Sequence, residues 1–352
     1  MPIQYRKLGR TDLTVPSITL GTMTWGEQNT QEEGHAQLDY AFERGINFLD
    51  TAELYAIPPR AGTQGSTERI IGNWFQARGN RDKVVLATKV VGRSPNTWFR
   101  DDGATTELSR KQIFEAVDKS LGRLQTDYID LYQLHFPDRA VPVFGSVPTV
   151  FRDTRGEVQE NPIPETLDAL DDLVKAGKVR YIGVSNESPW GLMTFLHHAE
   201  VRGQARVQSI QNAYSLVNRV FETGLAEIAL REQVGLLAYS PLAQGYLTGK
   251  YRNGALPEGS RKRLFDRLQR YETPGAESAI DAYLDLAAEL GIDPAQLAIA
   301  FVHSRSFVTS TIIGATSIAQ LKADIDAADI DITPEIEERI NTIHLRNGNP
   351  CP

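Results

Sequence analysis

The strongest constraint on this chain is a rhythm. Eight short apolar runs alternate with stretches whose apolar residues recur at helical spacing. The runs are Ile18–Leu20, Ile46–Leu49, Val84–Thr88, Tyr128–Leu134, Val179–Val184, Val207–Ile210, Gly235–Ala238 and Ser310–Ile313. Near-continuous Val, Ile and Leu suits strands buried on both faces, as in a parallel sheet covered by helices. Ile70, Ile71, Trp74 and Phe75 form one helical stripe, and Ile113, Val117, Leu121 and Leu124 a second. Ile163, Leu167, Leu170 and Val174 form a third. Gly45, Gly79 and Gly177 stand where helix C-termini favour a residue at positive φ. Strands joined through helices run parallel with right-handed crossovers. The count of eight predicts an α/β fold, a closed (β/α)8 TIM barrel. The competitor, an open doubly wound sheet, should show G-x-G-x-x-G after its first strand, and Gly21-Thr22-Met23-Thr24-Trp25-Gly26 does not.

A chain of 352 residues is long for one domain, but such barrels routinely exceed ~250 residues as one unit. The expectation is one barrel domain over 1–352, with its core over about 5–343 and a tail over 344–352. Before the first strand, Tyr5–Leu8 and Leu13–Val15 flank Gly9-Arg10-Thr11-Asp12 and predict a small hairpin. Three long connections, about 92–108, 136–164 and 241–263, leave the C-terminal ends of strands, where barrel active sites are built. With 45 acidic and 37 basic side chains the net charge is −8, so nothing suggests a nucleic-acid partner. A single cysteine, Cys351, excludes an intrachain disulfide and a Cys-rich metal site. No apolar run is long enough to cross a membrane, and no signal-type segment opens the chain. The expected location is cytoplasmic. Oligomeric state is not legible.

Polar residues recur where the predicted strands end. Asp50-Thr51-Ala52-Glu53-Leu54-Tyr55 follows the second, Lys89 the third and His135 the fourth. Ser185-Asn186 follows the fifth, Gln211-Asn212 the sixth, Tyr239-Ser240-Pro241-Leu242 the seventh and Gly314-Ala315-Thr316-Ser317 the eighth. A phenol with a pKa near 10 is a poor acid at neutral pH. An ammonium at Lys89, held charged by Asp50, would lower the pKa of Tyr55. A neutral His135 could donate an N–H to a carbonyl oxygen. Such a set can protonate an oxyanion as it forms. No convergent set of His, Asp and Glu ligands suggests a metal.

Asp50, Tyr55, Lys89 and His135 resemble the catalytic tetrad of the aldo-keto reductase superfamily. Leu20-Gly21-Thr22-Met23, Leu134-His135-Phe136-Pro137-Asp138, Gly183-Val184-Ser185-Asn186, Tyr239-Ser240-Pro241-Leu242 and Leu247-Thr248-Gly249-Lys250-Tyr251 extend the likeness over about 5–343. It is nearest to the Tas-type bacterial NADPH-dependent reductases, neighbours of the potassium-channel β-subunits. The resemblance implies NADPH across the barrel mouth and reduction of small aldehydes or ketones, with Tyr55 as acid. It implies that Ser185, Asn186 and Gln211 bind the nicotinamide amide and that Tyr239 stacks on the ring. Gly21, Thr22, Met23 and Asp50 would also border the cofactor. Ser240, Pro241, Leu242, Gly245, Leu247, Lys250 and Arg261 belong to the segment implied to cover the pyrophosphate. Gly314, Thr316, Gln320 and Asp324 belong to the adenosine end. The family usually has Asn where Asp324 stands, and a carboxylate there opposes a 2′-phosphate. Trp25, Trp98 and the 143–151 stretch are expected beside Tyr55 and His135 in the substrate pocket. The alternative reading is a nucleotide-sensing regulatory subunit. The channel β-subunits carry Asn where His135 stands here, so the sequence sides with catalysis.

Overall fold

The computed structural model describes residues 3–141, 153–154, 156–267 and 269–351. Strands β1 (Tyr5–Lys7) and β2 (Thr14–Pro16) pair antiparallel as the expected hairpin. Eight further strands follow: β3 (Ile18–Gly21), β4 (Phe48–Asp50), β5 (Val85–Val90), β6 (Ile129–Leu134), β7 (Val179–Ser185), β8 (Val207–Ala213), β9 (Gly235–Tyr239) and β10 (Val308–Ile313). All pair in parallel, and β10 closes on β3, so the sheet is a barrel. Helices α1 (Gln31–Glu43), α2 (Ser66–Arg78), α3 (Arg110–Leu124), α4 (Ile163–Lys175), α5 (Pro189–Arg202) and α6 (Leu225–Glu232) follow β3 to β8 in turn. The fold is the (β/α)8 barrel.

Several helices begin on side-chain caps. Thr30 and Glu33 form a capping box on α1, and Ser188 accepts the Gly191 N–H on α5. Gly45, Gly79 and Gly177 all take positive φ.

The rhythm breaks after β9. There α7 (Arg261–Phe265), α8 (Ala276–Leu290) and α9 (Pro294–His303) precede β10, and α10 (Ile318–Asp326) and α11 (Pro334–Asn347) follow it. Helices α8 and α11 pack on each other. The expected tail is not one. Helix α11 runs through Asn347, Cys351 is wholly buried, and its N–H donates to Val217 O at 3.1 Å. The apolar positions Ile336, Ile340 and Ile343 continue the helical period into that segment.

The barrel interior explains where chemistry can sit. Side chains alternate across a strand, so Val85, Ala87 and Lys89 share one face of β5, as Leu131 and Gln133 share one face of β6. Phe48, Val85, Ala87, Leu131, Leu237 and Ile312 form an apolar floor with Leu8 and Val15 of the hairpin. Above that floor the same faces turn polar. The register sets Asp50 beside Ala87 and Lys89 beside Gln133.

One helix contact is tight enough to reverse an ordinary rule. Glycine inside a helix usually costs ~0.5–1 kcal/mol relative to alanine. On α2, however, a Cβ at Gly72 would stand 2.4 Å from the Arg123 carbonyl oxygen. On α3, a Cβ at Gly122 would meet nothing within 4 Å. Gly72→Ala should therefore destabilise by ~1–3 kcal/mol, while Gly122→Ala stabilises by ~0.5–1 kcal/mol. Urea midpoints of the two variants should move in opposite directions.

Candidate active site

Lys89 is wholly buried at the end of β5. Its Nζ donates to Asp50 Oδ2 at 2.7 Å, to Thr51 O at 2.8 Å and to Tyr55 OH at 3.4 Å. All three ammonium donors are thereby used. The other Asp50 oxygen accepts from Gln211 Nε2 at 2.8 Å and Gln133 Nε2 at 3.3 Å. His135 stands just beyond β6, its ring edge-on to Tyr55 with centroids 5.5 Å apart at 83°. Four residues from three segments of chain thus meet at the C-terminal mouth of the barrel.

Burial governs the electrostatics. It pulls Lys89 downward, but Asp50 and Tyr55 outweigh it and hold the ammonium above its ordinary pKa. Burial pushes His135 well below its usual value, and the Lys89 charge adds to that, so the imidazole is neutral. Tyr55 departs from expectation. Lys89 does pull the phenol down, yet burial is larger and Asp50 opposes Lys89, so Tyr55 lies above 10. The protein by itself keeps this phenol protonated.

The residues expected around a cofactor form two groups. At the rim, Ser185 Oγ donates to Gln211 O at 2.7 Å, and Asn186 Nδ2 donates to His135 O at 2.8 Å. Tyr239 OH donates to Asn186 Oδ1 at 2.6 Å. Thr22 Oγ1 donates to Asp50 O at 2.8 Å, and Met23 O accepts from Ile57 N–H, tying both ends of the Asp50–Tyr55 segment to β3. Gly21 permits close packing there, since a Cβ would stand 2.8 Å from Ile312 Cγ2.

The second group lies on the segments after β9 and β10. Ser240 and Gly245 take positive φ, and a Cβ on Gly245 would stand 2.7 Å from Lys250 Nζ. Lys250 and Arg261 are half-buried, and burial lowers the pKa of both. Leu242 is half-buried, whereas Leu247 is 1% exposed and packs into the core, as Pro241 is buried. Gly314 is exposed, Thr316 N–H and Oγ1 donate to Gln320 Oε1 at 3.0 Å, and Ser317 caps α10. Asp324, on the same helix, is buried and pushed up to about 7 by burial and Asp293, with Lys250 opposing.

The two tryptophans expected beside Tyr55 sit in different surroundings. Trp25 is wholly buried, its Nε1 donating to Gln37 Oε1 at 3.3 Å, so it presents no surface to a substrate. Trp98 is 39% exposed and lines an open groove with Gln64, with Arg69 and Asn73 of α2 and with Lys119 and Arg123 of α3. The stretch 143–151 lies outside the described residues. Gln133, which bonds Asp50, was missed; it shares the inward face of β6 with the apolar Leu131.

Among the described residues no His, Cys, Asp and Glu cluster could hold a metal ion, and no helix is long and apolar enough to cross a membrane. Residues 17–344 match the aldo/keto reductase family model, and the chain belongs to that family. It is 47% identical to Protein tas of Escherichia coli, over 99% of this chain and 100% of that one. It is 35% identical to the uncharacterized oxidoreductase YrpG of Bacillus subtilis, over 99% and 98%. It is 31% identical to a probable voltage-gated potassium channel subunit beta of Arabidopsis thaliana, over 97% and 96%.

The buried Asp324 gives a signed test. Its carboxyl binds a proton more tightly folded than unfolded, so its contribution to stability is complete below pH about 4 and is lost as pH rises through about 7. Asp324→Asn should leave stability unchanged near pH 4 and raise it by up to about 4 kcal/mol at pH 8. Denaturant titrations without added cofactor at the two pH values check this.

Proposed function

We propose that this chain is an NADPH-dependent reductase of small aldehydes and ketones, with Tyr55 as the general acid. The observation that carries the reading is the buried Asp50–Lys89–Tyr55 chain beside a neutral His135. A protonated phenol next to an ammonium can give its proton to an oxyanion, because the ammonium stabilises the phenolate left behind. Asp50 keeps Lys89 charged and in place through a 2.7 Å bond. The neutral imidazole of His135 can donate one N–H to the carbonyl oxygen of the substrate and fix its direction toward the phenol.

The chain's donors fit a dinucleotide. Lys250 and Arg261 make no ion pair among the described residues although both are half-buried, and buried cations call for an anion. In this reading they meet the phosphates. Ser185, Asn186, Gln211 and Tyr239 hold the nicotinamide, while Thr316, Gln320 and Asp324 border the adenosine. NADPH, when bound, supplies the hydride.

Tyr55→Phe should leave cofactor affinity intact and lower kcat by ~10²–10⁴-fold. Full activity in that variant would remove Tyr55 from the mechanism. A cofactor-sensing subunit without turnover, which the channel relatives raise, predicts cofactor binding with no product from any carbonyl. Since His135 is already neutral and Tyr55 lies above 10, kcat/KM should stay flat between about pH 6 and 9 and fall at higher pH as the phenol ionises.

NADPH should bind more tightly than NADH, because its 2′-phosphate adds charge that a guanidinium can hold with two bonds. Arg261→Ala should shrink that preference by ~10-fold or more. Fluorescence titrations at one salt concentration measure it, and equal dissociation constants in the unaltered protein would dismiss the NADPH preference.

A further inference from the structure

Two residues before Tyr55 stands Glu53, buried as deeply as Lys89 and bonded through every polar group it has. Its carboxylate takes Nη1 and Nη2 of Arg100 at 3.0 Å each and the Val91 N–H at 2.7 Å. Its own N–H donates to Lys89 O at 3.2 Å, and its carbonyl accepts from Gln64 Nε2 at 2.7 Å. Arg100 is equally buried and gives its Nε to Gln112 Oε1 on α3 at 3.0 Å. Burial lowers the Arg100 pKa, but Glu53 outweighs it and holds the guanidinium above its ordinary value.

A buried ion pair is an expensive way to hold two loops together. Desolvation costs several kcal/mol per ion, and apolar side chains of similar volume are often as stabilising. What a bidentate carboxylate–guanidinium pair supplies is direction and spacing. The neighbouring Tyr55 needs both, because among the described residues its hydroxyl bonds Lys89 alone, at 3.4 Å, and its ring is placed by the backbone that carries it. That backbone is bonded at Tyr55 N–H to Ala52 O at 3.1 Å and at Tyr55 O to Gly65 N–H at 2.7 Å. Glu53 links it to the end of β5 twice, by main chain at Lys89 and by side chain at Val91. Through Arg100 it also seizes the connection between β5 and α3, next to the buried Phe99.

Resting on the reading of Tyr55 as the acid, we propose that Glu53 and Arg100 are positioning residues that set the distance between the Tyr55 phenol and the Lys89 ammonium. Neither reaches the reacting atoms. Their effect passes through the segment 51–55 on one side and the end of β5 on the other. Loosening the pair lets the phenol drift from Lys89, which slows proton delivery while leaving the rim that would hold the cofactor in place.

Removing one partner strands a buried charge and is expected to destabilise strongly, so the informative variant removes both. Glu53→Gln/Arg100→Met should melt near the unaltered protein and bind NADPH as tightly. Its kcat should fall by ~10–100-fold, the scale of a small misplacement in an active site, with KM for the carbonyl nearly unchanged. The basic limb of its pH profile should move to higher pH, since a phenol further from Lys89 is a weaker acid. Arg100→Lys, which keeps the charge and loses the fork, should show a smaller change in the same directions and serves alone if the double variant does not fold.

A folded double variant, or Arg100→Lys in its place, with full kcat and an unshifted pH profile would overturn the proposal. So would a kcat that falls only in step with the fraction of protein able to bind cofactor, which marks a merely structural pair. Tyr55→Phe measured alongside separates the two readings. If it stays active, the acid assignment fails and this inference with it. If it is inactive while the double variant runs at full rate, the positioning inference alone fails.

Discussion

Everything at the mouth of this barrel is arranged around one buried ammonium. Lys89 is wholly buried, so its charge depends on Asp50 2.7 Å away and on a backbone carbonyl and a phenol oxygen that accept its other two hydrogen bonds. Asp50 in turn is held by two glutamines from strands on either side of β7, Gln133 on β6 and Gln211 on β8. Each of these contacts joins strands that are far apart in the chain. Losing one partner of such a pair typically costs ~3–5 kcal/mol, far more than a surface ion pair contributes.

The same ammonium orders its neighbours. It adds to the burial that keeps His135 neutral, and it pulls on Tyr55 against a burial that pushes the other way. One charge therefore acts on two adjacent rings in opposite senses: it disfavours a second cation at His135 and favours a phenolate at Tyr55. A second buried pair, Glu53 with Arg100, stands directly behind the first and joins the loop of Tyr55 to the connection after β5. Charged groups are thus nested from the barrel axis outward, above a cluster of buried apolar side chains.

Much of this was legible before any coordinates. Eight apolar runs became eight strands, their boundaries within a few residues, because a strand buried on both faces can be written in little but Val, Ile and Leu. The meeting of Asp50, Tyr55, Lys89 and His135 was legible because Asp50, Lys89 and His135 end successive strands, and a barrel brings all such ends to one rim. The surroundings of Trp25 and Trp98 were hidden for the converse reason. A tryptophan near a strand end fits a pocket wall, a core or a groove equally well in one dimension, and the packing of α1 over Trp25 and of α2 beside α3 decided which. The helical segment reaching Asn347 and the burial of Cys351 were hidden similarly, since a partly exposed helix shows a weak apolar stripe.

What the sequence by itself determined is the alternation of elements, the closed count of strands and the residue types at their C-terminal ends. Local spacing suffices for these, because side-chain alternation and helical period are properties of a single segment. Only the tertiary structure decided the balance of forces at the site. The direction of the Tyr55 pKa depends on how much burial outweighs Lys89, and the roles of Gln133 and Gln211 depend on which faces of the barrel converge on Asp50. The Glu53–Arg100 pair depends on a connection folding back over β5. Those are distances between residues remote in sequence, and in a low-dielectric interior distance sets the sign of the outcome.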